Sequence, residues 1–301
     1  MFFRNLVMFR FPIGLDFSQL AELLPAATLK PVGPLELSSR GFVSPFGREE
    51  TEQLHHAIGD WLWLTVGGQD KILPAAAIAN ALEEKLEAIE KSEGRRPGGR
   101  ERKRIKDDLI HEMLPKAFVK HSRHDVLLDL GRGVAFVDTS SRKEGEYLMS
   151  DLRGLLGSFP AMPLNAEVAP RSVLTGWIAG EPLPTGLALG EECQMQDPAE
   201  GGALVRYQHQ ELRCDEIDKH LDAGKQVSRL ALIVEDNLSL VLGDDLVVRK
   251  LKFLDGALDK LEDADDENRR AELDARFALQ IGELGQLFDR LNGSFRISSA
   301  N

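Results

Sequence analysis

The sequence predicts an α+β protein: a β-rich central domain, a helical hairpin inserted into it as a tip, and a C-terminal α+β base domain. Three observations predict it. Apolar residues recur at helical spacing on both sides of Pro97-Gly98-Gly99. Short strand-like apolar runs flank that segment, before it and after it. A meander of three such runs and one long amphipathic helix close the chain. The boundaries fall at residues 1–73 and 117–167 for the central domain, 74–116 for the tip and 168–301 for the base.

In the first part, Asn5–Phe11 and Trp61–Val66 read as strands, with a helix over Phe17–Leu24 between them. Gly33-Pro34 and Ser44-Pro45-Phe46-Gly47 mark loops. Trp61 and Trp63 fall on one strand face, as core residues or as a stacking platform for bases. Pro74 suits a first helical turn, and Ile78, Leu82, Leu86 and Ile89 then form one apolar face. Gly94 and the Pro-Gly-Gly break end that helix. A second begins near Arg100, carries Ile105, Leu109 and Met113 on one face, and stops at Pro115.

Val126–Leu130 and Val134–Asp138, joined by Gly131-Arg132-Gly133, read as a β-hairpin. Ser140–Leu156 is an amphipathic helix, and Pro160, Pro163 and Pro170 mark a passage between domains. In the last third, Asp215–Ala223 is a helix capped by Gly224. Arg229–Val234, Leu238–Leu242 and Leu246–Phe253 form the meander. Leu273, Phe277, Ile281, Leu284, Phe288 and Leu291 stripe the final helix.

Composition narrows the function classes. The chain has 301 residues and a hydrophobic fraction of 43%, enough to build cores rather than remain disordered. No apolar run approaches the ~20 residues that cross a bilayer. The apolar N-terminus is broken by Arg4 and Arg10 and lacks a small-residue cleavage site, so it reads as a first strand rather than a signal peptide. The two cysteines, Cys193 and Cys214, have no CxxC spacing, which fits a reduced cytoplasmic protein.

Charge is the most informative feature. The formal net charge is -12, yet seven of the twelve residues from Arg95 to Lys106 are basic and one is acidic. Residues 91–123 hold eleven Lys/Arg and five Asp/Glu, a net of +6, which leaves -18 for the rest. Glu262–Glu267 alone has five acids in six residues. Such a division suits a confined basic lining for a polyanion on an otherwise acidic exterior. The candidate contacts are Arg95, Arg96, Arg100, Arg102, Lys103, Arg104 and Lys106, extended by Lys116, Lys120 and Arg123. Phe118, among them, is either core or an apolar contact at the rim of a DNA channel. No helix-turn-helix or zinc finger is present to read bases.

Catalytic constellations are weaker. Gly67-Gly68 and Gly224-Lys225 do not complete a phosphate-binding loop. His121 and His124 lack the acidic or thiol companions of a metal site. Asp244, Asp245 and Lys250 fit the acid-acid-lysine pattern of a metal-dependent nuclease, or the polar punctuation of a hairpin turn. No cofactor-binding motif stands out.

Several short motifs, in order, resemble the recombination-associated RdgC family. They are Phe3-Arg-Asn-Leu6, Asp70-Lys-Ile-Leu-Pro74, Leu114-Pro-Lys-Ala-Phe118, Gly157-Ser-Phe-Pro-Ala-Met-Pro163, Leu174-Thr-Gly-Trp177, His220-Leu-Asp-Ala-Gly-Lys-Gln-Val227 and Arg249-Lys-Leu-Lys-Phe253. The resemblance implies a ring-shaped homodimer closed by base–base and tip–tip contacts, with duplex DNA in a basic hole. It further implies binding of double-stranded DNA without sequence preference, with single-stranded DNA a second candidate. Antagonism of RecA-driven recombination, association with replication and a place in the cytoplasmic nucleoid are implied too. By position, Lys71, Arg95, Lys116, Phe118 and Gln210 match places the family uses around the hole or its gate. Pro97-Gly98-Gly99 departs from the family's more helical sequence there, and His209 stands where a lysine is expected. The final helix stripe would serve the base–base interface or pack within its own domain.

Overall fold

Two antiparallel sheets and eight helices make up the described structure. The computed structural model describes residues 2–47, 50, 52–199, 202–261 and 269–299; the acidic run at 262–267 lies outside the described residues. In chain order the elements are β1 (Val7–Arg10), α1 (Leu20–Leu23), β2 (Ser38–Val43), β3 (His55–Ile58), β4 (Trp61–Ile72), α2 (Ala75–Glu93), α3 (Gly99–Met113), β5 (Phe118–Asp129), β6 (Val134–Val137) and α4 (Arg142–Leu156). There follow β7 (Met162–Pro163), α5 (Pro170–Ile178), β8 (Leu187–Gln196), β9 (Leu204–Gln208), α6 (Asp215–Asp222), β10 (Gln226–Val234), β11 (Leu238–Gly243), β12 (Val248–Phe253), α7 (Asp255–Leu258) and α8 (Arg269–Phe295).

The first sheet runs β2-β4-β5-β6-β1-β7, and β3 shares an edge of β4 with β2. Its strands alternate strictly between two apolar faces. Val7, Phe9, Leu64, Val66, Val126 and Leu128 point one way, onto Leu148, Met149 and Leu152 of α4. Gly145 lets α4 approach closely, because a Cβ there would stand 2.8 Å from the Phe9 ring. Met8, Trp61, Trp63, Leu127 and Phe136 point the other way, onto α8. Strands covered on both faces lose the polar half of the usual alternation and read as continuous apolar runs.

The second sheet runs β12-β11-β10-β8-β9. Its inner face packs Leu230, Leu232, Leu240 and Leu242 into the same core as Trp61, Trp63 and Phe136. Helix α8 lies in that shared core. At ~1.5 Å per residue it is about 40 Å long. Phe277 meets Trp63 at 5.3 Å, Phe288 meets the edge of Phe136 at 6.2 Å, and Phe295 meets Trp177 at 5.7 Å. Reciprocal hydrogen bonds between Leu6 and Val248, at 2.8 and 2.9 Å, tie the two sheets directly.

Three expectations change. The α1 helix starts at Leu20, and Pro25 diverts the chain into a 3₁₀ turn over Leu24–Ala27. In the proline passage, Met162 and Pro163 pair with Arg10 and Phe9, and Pro170 opens α5. Trp61 and Trp63 are core residues, which ends the stacking-platform alternative. The α8 residues Phe277, Ile281, Leu284, Phe288 and Leu291 are buried within the chain, so that stripe offers no free face to a second copy.

Candidate nucleic-acid interface

Strands β4 and β5 pair through twelve positions, from Trp61 opposite Asp129 to Ile72 opposite Phe118. The half nearer Trp61 is core. The other half leaves it, and its end carries the α2–α3 hairpin. Alternation puts Asp70, Ile72, Phe118 and Lys120 on one face of this ribbon, and Lys71 and Val119 on the other. Phe118 is 85% exposed and Ile72 opposite it 47%, so Phe118 is not a core residue. Lys116 is exposed in the 3₁₀ turn just before Phe118. Lys120 faces Asp70, and Lys71 Nζ donates to the Pro34 carbonyl at 2.5 Å. The structure therefore gathers Lys71, Lys116, Phe118 and Lys120 at the ribbon's end.

The hairpin has a thin apolar seam. Leu86 of α2 and Leu109 of α3 are buried, with Pro97 buried in the connection. Gly94 ends α2 at φ +68°, a left-handed conformation that suits glycine. Ion pairs supply much of the remaining contact. Arg95 bonds Glu93 at 2.8 Å and Glu101 at 2.7 Å. Arg96 bonds Glu83 at 2.8 Å and Glu90 at 3.5 Å; Arg102 lies 3.8 Å from Glu83; Lys85 bonds Glu112 at 2.9 Å. The hydrogen bond from Arg95 holds the Glu101 carboxyl below its ordinary range, and Glu101 raises the Arg95 guanidinium in turn. Both stay charged across the physiological range.

Ion pairing divides the basic run in two. From Ala75 to Met113 the chain holds nine Lys/Arg and nine Asp/Glu. The hairpin folds an acidic helix against a basic one, and Arg95, Arg96 and Arg102 are engaged by its carboxylates. Arg100, Lys103, Arg104 and Lys106 remain exposed and form no ion pair with a described residue. Arg100, Lys103 and Arg104 share the outward face of α3 at i, i+3, i+4 spacing, with Asp107 one turn on and Lys106 beside them. The acids of α2, and Ile72, are what sequence reasoning missed. Five glutamates between Glu83 and Glu93 were the available signal.

Gln210 is elsewhere. It lies between β9 and α6, where its Nε2 donates to Glu216 Oε2 at 2.7 Å. His121 and His124 point to opposite faces of β5, which removes them as joint metal ligands. Asp244 accepts from Arg171 at 2.5 and 2.9 Å, Asp245 accepts from Arg249 at 2.6 and 3.0 Å, and Lys250 bonds Glu192 at 2.6 Å. The acid-acid-lysine pattern is thus three separate ion pairs. Among the described residues no group of three His, Cys, Asp or Glu side chains is placed to hold a metal ion, and no helix is long and apolar enough to cross a membrane.

Relatives carry the same arrangement of sequence from end to end. The chain is 72% identical over 301 residues to the recombination-associated protein RdgC of Stenotrophomonas maltophilia (strain R551-3), covering all of both chains. It is 68% identical over 300 residues to that of Xanthomonas axonopodis pv. citri (strain 306), again over the whole of both. Against that of Xanthomonas campestris pv. campestris (strain B100) it is 67% identical over 300 residues, covering all of this chain and 99% of the relative. The family model described as "Putative exonuclease, RdgC" matches residues 1–297. With the whole length matched at this identity, the protein belongs to the RdgC family.

Proposed function

We propose that this protein is a sequence-independent double-stranded-DNA-binding protein that acts as a ring-shaped homodimer and restrains RecA-mediated recombination in the cytoplasmic nucleoid. The tip (74–116) would close the ring against its copy, and the base (168–301) would close the other side. Membership in a family named for recombination supports the reading. The single structural observation that carries it is the outward face of α3, where Arg100, Lys103 and Arg104 stand exposed and form no ion pair within 4 Å to a described residue.

Cations so placed meet phosphates and release counterions; they do not read bases. Lys71, Lys116 and Lys120 extend the positive surface along the ribbon toward the sheet, and exposed Phe118 adds an apolar contact beside them. A duplex so occupied is obstructed for any filament that must exchange its strands.

Solution mass combined with salt-dependent binding to duplex and single-stranded DNA tests this. The expected result is a dimer whose log affinity falls linearly with log salt, with one slope for unrelated duplex sequences. Lys103→Glu with Arg104→Glu should flatten that slope. A monomer, or an unchanged slope in the charge-reversed variant, overturns the reading. The exonuclease wording of the family description sets the control, plasmid and linear duplex incubated with Mg²⁺. The substrates should stay intact, and cutting that disappears in Asp244→Ala would replace the clamp by a nuclease.

A further inference from the structure

The outer face of the five-stranded sheet holds two further arginines that form no ion pair with a described residue. Strands β10, β8 and β9 bring Arg229, Gln194 and Arg206 into one cross-strand row. A bulge between Val227 and Arg229 places Ser228 and Arg229 together opposite Gln194. Gln194 Nε2 donates to Ser228 Oγ at 2.9 Å, and its Oε1 accepts from Arg206 Nε at 2.9 Å. One side-chain amide therefore orients Arg206 through Nε, and its two terminal nitrogens make no hydrogen bond to a described residue. Neither Arg206 nor Arg229 forms an ion pair with a described residue. The neighbouring acids, Asp244 and Asp245, are held by Arg171 and Arg249.

The face is open. The core lies against the opposite side, through Cys193, Leu230, Leu232 and Leu240. The outward residues Gln194, Arg206, Gln208, Arg229, Ala231 and Ile233 are all partly or fully exposed. Lys250 crosses this face. It starts on β12 and bonds Glu192 of β8 at 2.6 Å with its side chain 56% exposed. It is a third cation of the face, held in reserve by one carboxylate.

The geometry points to this sheet face as a further nucleic-acid contact, in which Arg206 and Arg229 each take a phosphate of one strand. The inference rests on the DNA-binding reading above and assigns it a surface outside the hairpin. Charge complementarity selects the partner. Two unpaired guanidiniums two strand spacings apart, about 10 Å, face a backbone carrying one charge per ~3.4 Å of axis on each strand. Both side chains reach the same strand at that spacing. Gln194 between them carries no charge, and Ser228 is buried beneath it with its hydroxyl bonded to Gln194, so the row presents cations and no further base-reading group.

Fluorescence anisotropy of a labelled duplex, titrated at several salt concentrations, tests the assignment. Arg206→Gln with Arg229→Gln should lower the magnitude of the log–log salt slope by about 1.8, at roughly 0.9 per lost phosphate contact. Glu192→Gln should raise it by about 0.9, because it frees Lys250. A wild-type slope in the double arginine variant, with its melting transition intact, overturns the inference. If the double variant fails to fold, an unchanged slope in Glu192→Gln overturns it instead. Loss of slope in Lys103→Glu/Arg104→Glu but not in the sheet variants sinks this surface and leaves the DNA-binding reading standing. Wild-type protein with no salt-dependent binding removes both.

Discussion

Glu83 sits where the neutrality of the hairpin can be undone with one substitution. Its carboxylate lies 2.8 Å from Arg96 and 3.8 Å from Arg102. Glu83→Gln removes one negative charge and releases Arg102 completely. Arg96 keeps a second partner, Glu90 at 3.5 Å, and is released in part. The variant thus presents between one and two more cations to a phosphate backbone. At roughly 0.9 per phosphate, the salt slope should steepen by about 0.9 to 1.8. Between 50 and 200 mM salt the variant should then lose about 3.5- to 12-fold more affinity than wild type, from a tighter start at low salt. Folding should hardly change, since exposed ion pairs of this kind contribute about 0–1 kcal/mol. Anisotropy with one duplex at several salt concentrations measures the slope, and a thermal melt checks the fold. Identical slopes in two folded proteins would refute the reasoning, because they would mean that the α2 acids do not mask α3 cations from DNA.

Two further outcomes follow from the fold. Phe118→Ser should leave the unfolding free energy unchanged, because its ring is 85% exposed, whereas Phe136→Ala should cost about 3–5 kcal/mol by emptying a fully buried site against Trp61 and Phe288; denaturant titration compares the two. The Asp245 carboxyl is pulled up by burial, but hydrogen bonds from Arg249 and the Val247 amide hold it below the ordinary 3.8. A depressed folded-state value stabilises above the unfolded one and loses that contribution as pH falls through the folded value. Asp245→Asn should therefore be less stable than wild type at neutral pH, and the gap should close only below about pH 3.8, as urea midpoints across pH will show.

The sequence displayed the core and hid what leaves it. Trp61–Val66 and Val126–Leu130 are legible because both their faces are buried, so apolar residues run on without interruption. Gly67–Ile72 and Phe118–Asp125 continue the same two strands without that signal. Their side chains meet solvent or loops, and runs such as Lys120-His121-Ser122-Arg123 carry no period. Strand β2 is obscured for another reason. Gly41 weakens its strand propensity, yet a Cβ there would stand 2.4 Å from the Leu29 backbone nitrogen, so the close packing of chain on chain demands the residue that disguises it. Strands β8 and β9 mix glutamates, glutamines and an arginine with their apolar residues, because one face of their sheet is open.

The candidate site was legible as charge along the chain but not as charge in space. A window over 91–123 gathers the cations of α3 and omits Glu83, Glu84, Glu87 and Glu90 of α2, since those stand outside it in sequence. The hairpin brings Glu83 and Glu90 within 4 Å of Arg96, and Glu83 within 4 Å of Arg102, while Arg95 pairs with Glu93 and Glu101 inside the window, so three of the seven arginines and lysines in the basic run are ion-paired. The same reasoning works in reverse on the second sheet. Arg206 and Arg229 are separated by a helix and part of two strands, so no window collects them, and antiparallel pairing sets them in one row. Cations useful to a polyanion are those the fold leaves without acids. A run that counts seven positive charges keeps four without an ion pair to a described residue, and two isolated arginines that count for nothing both stay so.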